Sequence, residues 1–155
     1  MKEVVTTLCF LRKDGKTLLG RKKRGFGEGK YNGIGGKQEQ GETIIDTLLR
    51  ETKEEIGVIP TVYENVGQVS FNETIKGEKV HLIFHLFIVS AWDGEICESD
   101  EMAPTWFNIN EIPYDEMFVD DIYWLPLVLE GKKVNAHFDF DEEWNIVSKK
   151  IEETT

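Results

Sequence analysis

The feature that most constrains this chain is a glycine-rich run followed by a carboxylate-bearing helix. Asn32-Gly33-Ile34-Gly35-Gly36 comes first, and Arg50-Glu51-Thr52-Lys53-Glu54-Glu55-Ile56-Gly57-Val58 follows. From Thr43 to Ile56 the apolar residues Ile45, Leu48, Leu49 and Ile56 recur near helical spacing, Thr52 fills the same stripe, and Gly57 is a stop signal. On that helix Glu51, Glu54 and Glu55 lie three and four positions apart, along one side. Like charges so placed repel, and Arg50 to Glu54 supplies only one compensating pair. A hard divalent cation with oxygen ligands resolves the conflict, and Mg²⁺ suits it because it takes few protein carboxylates. The competing reading is a solvated acidic face, the usual fate of a charge run. The preceding glycines favour the site, because they let backbone approach a ligand closely.

Strands are predicted around this unit at Val4 to Leu11 and Thr17 to Gly20, joined by the Asp14-Gly15 turn. Further strands are predicted at Val66 to Phe71 and Val80 to Val89, joined around Lys76-Gly77, with a short one at Trp106 to Asn108. Asp120-Asp121 opens a second helical pattern through Leu129, interrupted by Pro126. Val134 to Phe140 and Trp144 to Val147 read as a last hairpin. Strands interleaved with two helices and no linker give one α/β domain over residues 1–155, a sandwich around a mixed β-sheet.

The 155 residues carry a net charge of −11, which argues against duplex nucleic acid as a partner but leaves room for a small phosphorylated ligand. No apolar run reaches the ~20 residues of a membrane span, so no membrane partner and a cytoplasmic monomer are expected. Two cysteines are too few for a disulfide framework or a thiolate zinc site; Cys9 reads as buried and inert, and Cys97 has no catalytic partner in view. His81, His85 and His137 show no ligand spacing.

The segment from Gly36 through Glu42, Arg50, Glu51, Glu54, Glu55 and Gly57 to Val58 matches the Nudix box, with Thr52 where an aliphatic is usual. The chain therefore resembles the Nudix hydrolases, which implies an α/β/α sandwich with a mixed sheet. It also implies metal ligation by Glu51, Glu54, Glu55 and the Gly36 carbonyl. Arg50 would orient Glu51, Glu42 would pair with Arg50, and Mg²⁺, with Mn²⁺ as a substitute, would assist attack by water on a diphosphate linkage.

The likeness runs further, through Lys22-Lys23-Arg24-Gly25-Phe26-Gly27, Val66-Gly67-Gln68-Val69-Ser70-Phe71, Ser99-Asp100-Glu101-Met102 and Asp120-Asp121-Ile122-Tyr123-Trp124. Over nearly its whole length the chain resembles the oxidised-purine nucleoside triphosphatases, the MutT homologues. That resemblance implies cleavage of a nucleoside triphosphate such as 8-oxo-dGTP to the monophosphate and pyrophosphate. Asn32, Asp120 and Asp121 would contact the purine. Thr7, Phe26, Phe71 and Trp124 would line its pocket, and Lys22 would stand near the entrance or the phosphates. Phe118 replaces the family's tryptophan before the aspartates, and Leu82 replaces a methionine on the facing strand. Glu101 reads either as an additional catalytic carboxylate or as a surface residue. Asp120 or Asp121 alone would read as a helix cap, Asn32 as a turn residue, and the aromatics as core. Two other functions remain open: a Nudix hydrolase for a methylated purine nucleotide or a dinucleotide, and a silent nucleotide-binding module.

Overall fold

The computed structural model describes residues 1–154. The strands are β1 (Lys2–Lys13), β2 (Lys16–Lys22), β3 (Tyr31–Asn32), β4 (Ile59–Ile75), β5 (Glu78–Asp93), β6 (Met102–Asn108), β7 (Lys133–Phe140) and β8 (Ile146–Thr154). The helices are α1 (Ile44–Ile56) and α2 (Asp121–Leu129), with a 3₁₀ turn at Tyr114–Glu116. The sheet order is β3-β2-β1-β5-β4-β7-β8, and β6 pairs with β2. β1 and β5 are parallel, as are β4 and β7, while β4 and β5 run antiparallel. The expected mixed sheet is therefore present.

Strand alternation sends successive side chains of β1 to opposite faces. Leu8 and Phe10 join Phe71, Leu86, Trp124, Leu125 and Phe138 in one core. Cys9 and Leu11 join Leu48, Ile56, Phe87 and Val89 in the other. Thus α1 covers one face and α2 the other, the sandwich expected from the sequence. Both tight hairpins match as well. Asp14 and Gly15 have φ of 53° and 75°, and Lys76 and Gly77 have 51° and 78°, the all-positive pair that suits the twist of joined strands.

Three differences have physical causes. β4 extends to residues 59–75 rather than 66–71, because its first half is exposed and carries register shifts that blur any alternation. β8 extends to Thr154 as a polar edge strand, and charged edges carry no hydrophobic signal. β3 is only two residues long and lies within the glycine-rich run.

Candidate functional site

Helix α1 is fixed at both ends before any chemistry is considered. The Thr43 side chain accepts from the Asp46 amide, the Asp46 side chain accepts from the Thr43 amide, and Gly57 closes the helix with φ 80°. Thr52 is fully buried, and its hydroxyl donates to the Leu48 carbonyl at 2.7 Å, so a polar residue fits an apolar stripe. Its neighbour Cys9 is buried, and burial pushes that thiol up to about 12, as expected of an inert cysteine.

Arg50 organises the acidic side of α1. Its guanidinium grips Glu42 through two bonds, Nε to Oε2 at 2.6 Å and Nη2 to Oε1 at 2.9 Å. Nη1 donates to Glu51 at 2.7 Å and to Glu54 at 3.3 Å, and Nη2 reaches the Lys37 carbonyl at 3.0 Å. The Arg50 bonds hold the Glu42 carboxyl down at about 2. Glu51 moves the other way, because burial outweighs the single guanidinium contact. Glu55 is the extreme case. Burial, with the negative charge of Glu51 next, pushes it up to about 8, against one donor from the Gly35 amide at 3.3 Å.

These groups form an anionic pocket beside the glycine run. A methyl group built on Gly36 would lie 2.3 Å from Glu51 Cδ, so only glycine lets backbone come this close to the carboxylate. Among the described residues no three His, Cys, Asp or Glu side chains already converge into a metal cage. Arg50 engages one Glu51 oxygen and holds the exposed Glu54 at the rim. A second Glu51 oxygen, Glu55 and the backbone of Gly36 remain at the centre. That donor set fits a hard divalent cation that completes its shell with water and phosphate oxygens.

Glu101 approaches from the opposite side. Arg24 pairs with it at 3.1 Å, and the Lys23 amide donates to its carbonyl at 3.0 Å. Its charge is felt by both Glu51 and Glu55, and it shares with Glu54 a cleft of about 320 Å³. Lys22 opposes the Glu55 charge, which places it on this side of the site rather than among the aromatic residues.

A second group of side chains, aromatic and acidic, gathers on the α2 face. Phe71 packs against Phe84, Phe138 and Phe140 with centroids 5.5–5.7 Å apart, and Leu82 pairs directly opposite it. Asp120 and Asp121 are both buried. Asp120 occupies the N-cap position of α2 yet makes no side-chain cap bond; it accepts from the indole N–H of fully buried Trp124 at 2.9 Å. Asp121 accepts from the Phe118 amide at 3.1 Å. Burial raises both carboxyls, and the charge of Asp120 raises Asp121 further. Asn32 is half-buried and accepts from its neighbour Gly33 at 2.9 Å.

Phe26 is 62% exposed and stacks on Phe118 at 5.8 Å and against Trp144 at 4.9 Å. Thr7 stands apart from this group. Alternation along β1 sends it toward α1, with Cys9 and Leu11, beside Gly35 and Gly36, and its hydroxyl is buried without a hydrogen bond.

The geometry has family parallels. The NUDIX domain family model matches residues 1–128. The chain belongs to the Nudix family. This Nudix chain is 42% identical over 147 residues to the oxidized purine nucleoside triphosphate hydrolase of Danio rerio, covering 95% of this chain and 93% of that one. It is 40% identical, with the same coverage, to the protein of that name from Mus musculus. The crystal structure of a mutator MutT protein from Bacillus halodurans superposes with a TM-score of 0.84 at 25% identity, covering 96% and 97% of the two chains.

Two residues beside these groups carry little signal that singles them out in the sequence. Glu73 is 8% exposed, and its neighbour in charge is Asp120. Period-two alternation from Phe71 would have found it, had the strand been extended past that residue. Trp144 was read only as the start of a strand; it lies in the β7–β8 turn with φ 65° and reaches Phe26 across the fold. No local pattern signals that contact.

Proposed function

We propose that this Nudix protein hydrolyses oxidised purine nucleoside triphosphates, such as 8-oxo-dGTP, to the monophosphate and pyrophosphate. The observation that carries the reading is the buried Asp120–Asp121 pair at the aromatic side of the fold, on the same molecule as the carboxylate helix. The names borne by the zebrafish and mouse relatives support it.

Glu51, Glu55 and the Gly36 carbonyl would hold Mg²⁺, or Mn²⁺ in its place, with Glu54 at the rim. When bound, the cation polarises the phosphoryl oxygens and neutralises the leaving pyrophosphate. Arg50 positions Glu51 and keeps Glu42 ionised. Glu55, whose carboxyl meets only the Gly35 amide, would be free with the cation bound to take a proton from the attacking water. Lys22 and Arg24 would draw the triphosphate toward this end, and Glu101 would close the acidic ring. Asn32, Asp120 and Asp121 would read the base, with Phe26, Phe71, Leu82, Phe118 and Trp124 around it. Thr7, with its free hydroxyl beside Gly35, would serve the seam between the two groups of side chains.

The test is turnover of 8-oxo-dGTP, 2-oxo-dATP, dGTP, N6-methyl-dATP and ADP-ribose in Mg²⁺, scored by kcat/KM. The oxidised purines should lead. A lead for the methylated purine or for ADP-ribose would reassign the substrate, and no turnover of any of them would leave a silent module.

The metal assignment has its own expected outcome. Glu51 and Glu55 are held together by the fold and are apart in the unfolded chain, so Mg²⁺ binds mainly the folded state. At 100 times its dissociation constant it should stabilise by about 2.7 kcal/mol, or roughly 5–10 °C in Tm for a chain of this size. Differential scanning fluorimetry with and without chelator reads this directly. A Tm unmoved over millimolar Mg²⁺ would count against a preformed site.

A further inference from the structure

Glu73 lies on β4 on the face that carries the aromatic group. Phe71 and Glu73 are two residues apart on one strand and therefore project from the same face of the sheet. Phe71 belongs to the core that includes Trp124 and Phe138, so Glu73 projects on the side of α2, opposite Val80 in register. It is 8% exposed, and no side chain or amide donates to its carboxyl. Around it are buried apolar groups and a second acid, Asp120. Burial, with the Asp120 charge next, pushes the Glu73 carboxyl up to about 7.

A carboxyl largely buried among apolar groups with no protein donor is a costly place for a charge. Its neighbours on the sheet show that the arrangement is not forced by the strand. Asn72, one residue earlier and on the opposite face, has full partners in His81 and Asp139 at 2.6 and 2.8 Å. No donor within the protein reaches Glu73, so its acceptors are open to water or to a bound ligand. The aspartate pair joins the aromatic group from α2, whereas Glu73 joins it from the sheet. A planar base bound beside them would meet acids from two separate elements. An unmodified guanine offers N–H donors on one edge and only acceptors at N7 and O6 on the other, whereas an 8-oxo group converts N7 into an N–H donor.

We propose that Glu73 is a specificity-determining residue of the base site, accepting a hydrogen bond from a purine N–H that the Asp120–Asp121 pair does not reach. This rests on the oxidised-purine reading and adds to it: a third acid selects for a base carrying donors on two edges. Neither Asp120 nor Asp121 alone would provide that discrimination, since both lie on one short stretch of chain.

Glu73→Gln and Glu73→Leu test it, with the parent, on 8-oxo-dGTP and dGTP in saturating Mg²⁺. The readout is the ratio of kcat/KM for the two nucleotides. In both variants the ratio should fall about tenfold, mainly through a higher KM for 8-oxo-dGTP. Glu73→Leu should also raise Tm, because an unpaired buried acid is replaced by an apolar group. A fall of threefold or more in either folded variant supports the assignment, and a ratio within threefold of the parent in both overturns it. A purely structural role would lower Tm and depress both nucleotides alike, leaving the ratio in place. The oxidised-purine reading is judged separately, on the parent alone: if the parent does not prefer 8-oxo-dGTP, that reading fails. Glu73 is then judged by the same threefold criterion on the two purine triphosphates that the parent separates most.

Discussion

Glu55→Gln should abolish turnover of any good substrate, with kcat falling by roughly a thousandfold or more. The substitution preserves volume and the contact with the Gly35 amide, so the fold has little reason to change. It removes the one central carboxylate that Arg50 does not touch, leaving only one carboxylate oxygen, the second of Glu51, for a cation. A cation there supplies charge stabilisation of several kcal/mol in the transition state, and a thousandfold corresponds to about 4 kcal/mol. The same change removes the group best placed to accept a proton from water. Pyrophosphate release in excess Mg²⁺ measures the effect, and circular dichroism checks the fold. A near-parent kcat in the folded variant would take Glu55 out of both roles. Arg50→Lys should be milder, because a point charge still compensates the carboxylates but loses the two-pronged grip on Glu42.

Much of this site is legible in the sequence because its residues are local. Glu51, Glu54, Glu55 and Arg50 sit on one helix, and helical spacing alone brings them together. The Gly57 stop, the Asp14-Gly15 hairpin and the buried Cys9 follow from equally local rules. Other features depend on which face of a long strand is covered. Thr7 carries no local sign that it turns toward α1 while Leu8 turns toward α2; that is decided by the register of β1 against β5. Glu73 escaped for a related reason: a glutamate at the end of an apolar run reads as the point where the strand leaves the core. Asp120 shows the opposite hazard. Its position at a helix start invites a capping role, but the indole of Trp124 takes the carboxylate instead. Trp144 meets Phe26 over more than a hundred residues of chain, a distance no periodicity spans.

Asp120→Asn and Asp121→Asn should each lower kcat/KM for 8-oxo-dGTP by roughly one to two orders of magnitude while leaving the Mg²⁺-induced rise in Tm intact. The pair is buried, and both carboxyls are raised, primarily by burial. Burial disfavours two charges side by side, and the charge of Asp120 raises Asp121 further. A pair that holds a proton between them offers a base edge both a donor and an acceptor. Asparagine at either position fixes one amide in place of a carboxyl that can shift its proton, so both variants should lose activity. A buried hydrogen bond involving a charged group contributes about 1.5–3 kcal/mol, which sets the expected range. The pH dependence has a definite sign. Asp121 holds its proton in the folded state above the ordinary 3.8, so its contribution to stability is full at low pH. That contribution is lost as pH rises from 3.8 through the raised folded value. Asparagine has no such proton to lose. The Tm of Asp121→Asn minus that of the parent should therefore grow more positive with rising pH across this window. A difference that stays constant with pH would mean that Asp121 is not held protonated by the fold. Parent-like hydrolysis of 8-oxo-dGTP by both variants would remove the pair from base recognition and with it the main support for the substrate assignment.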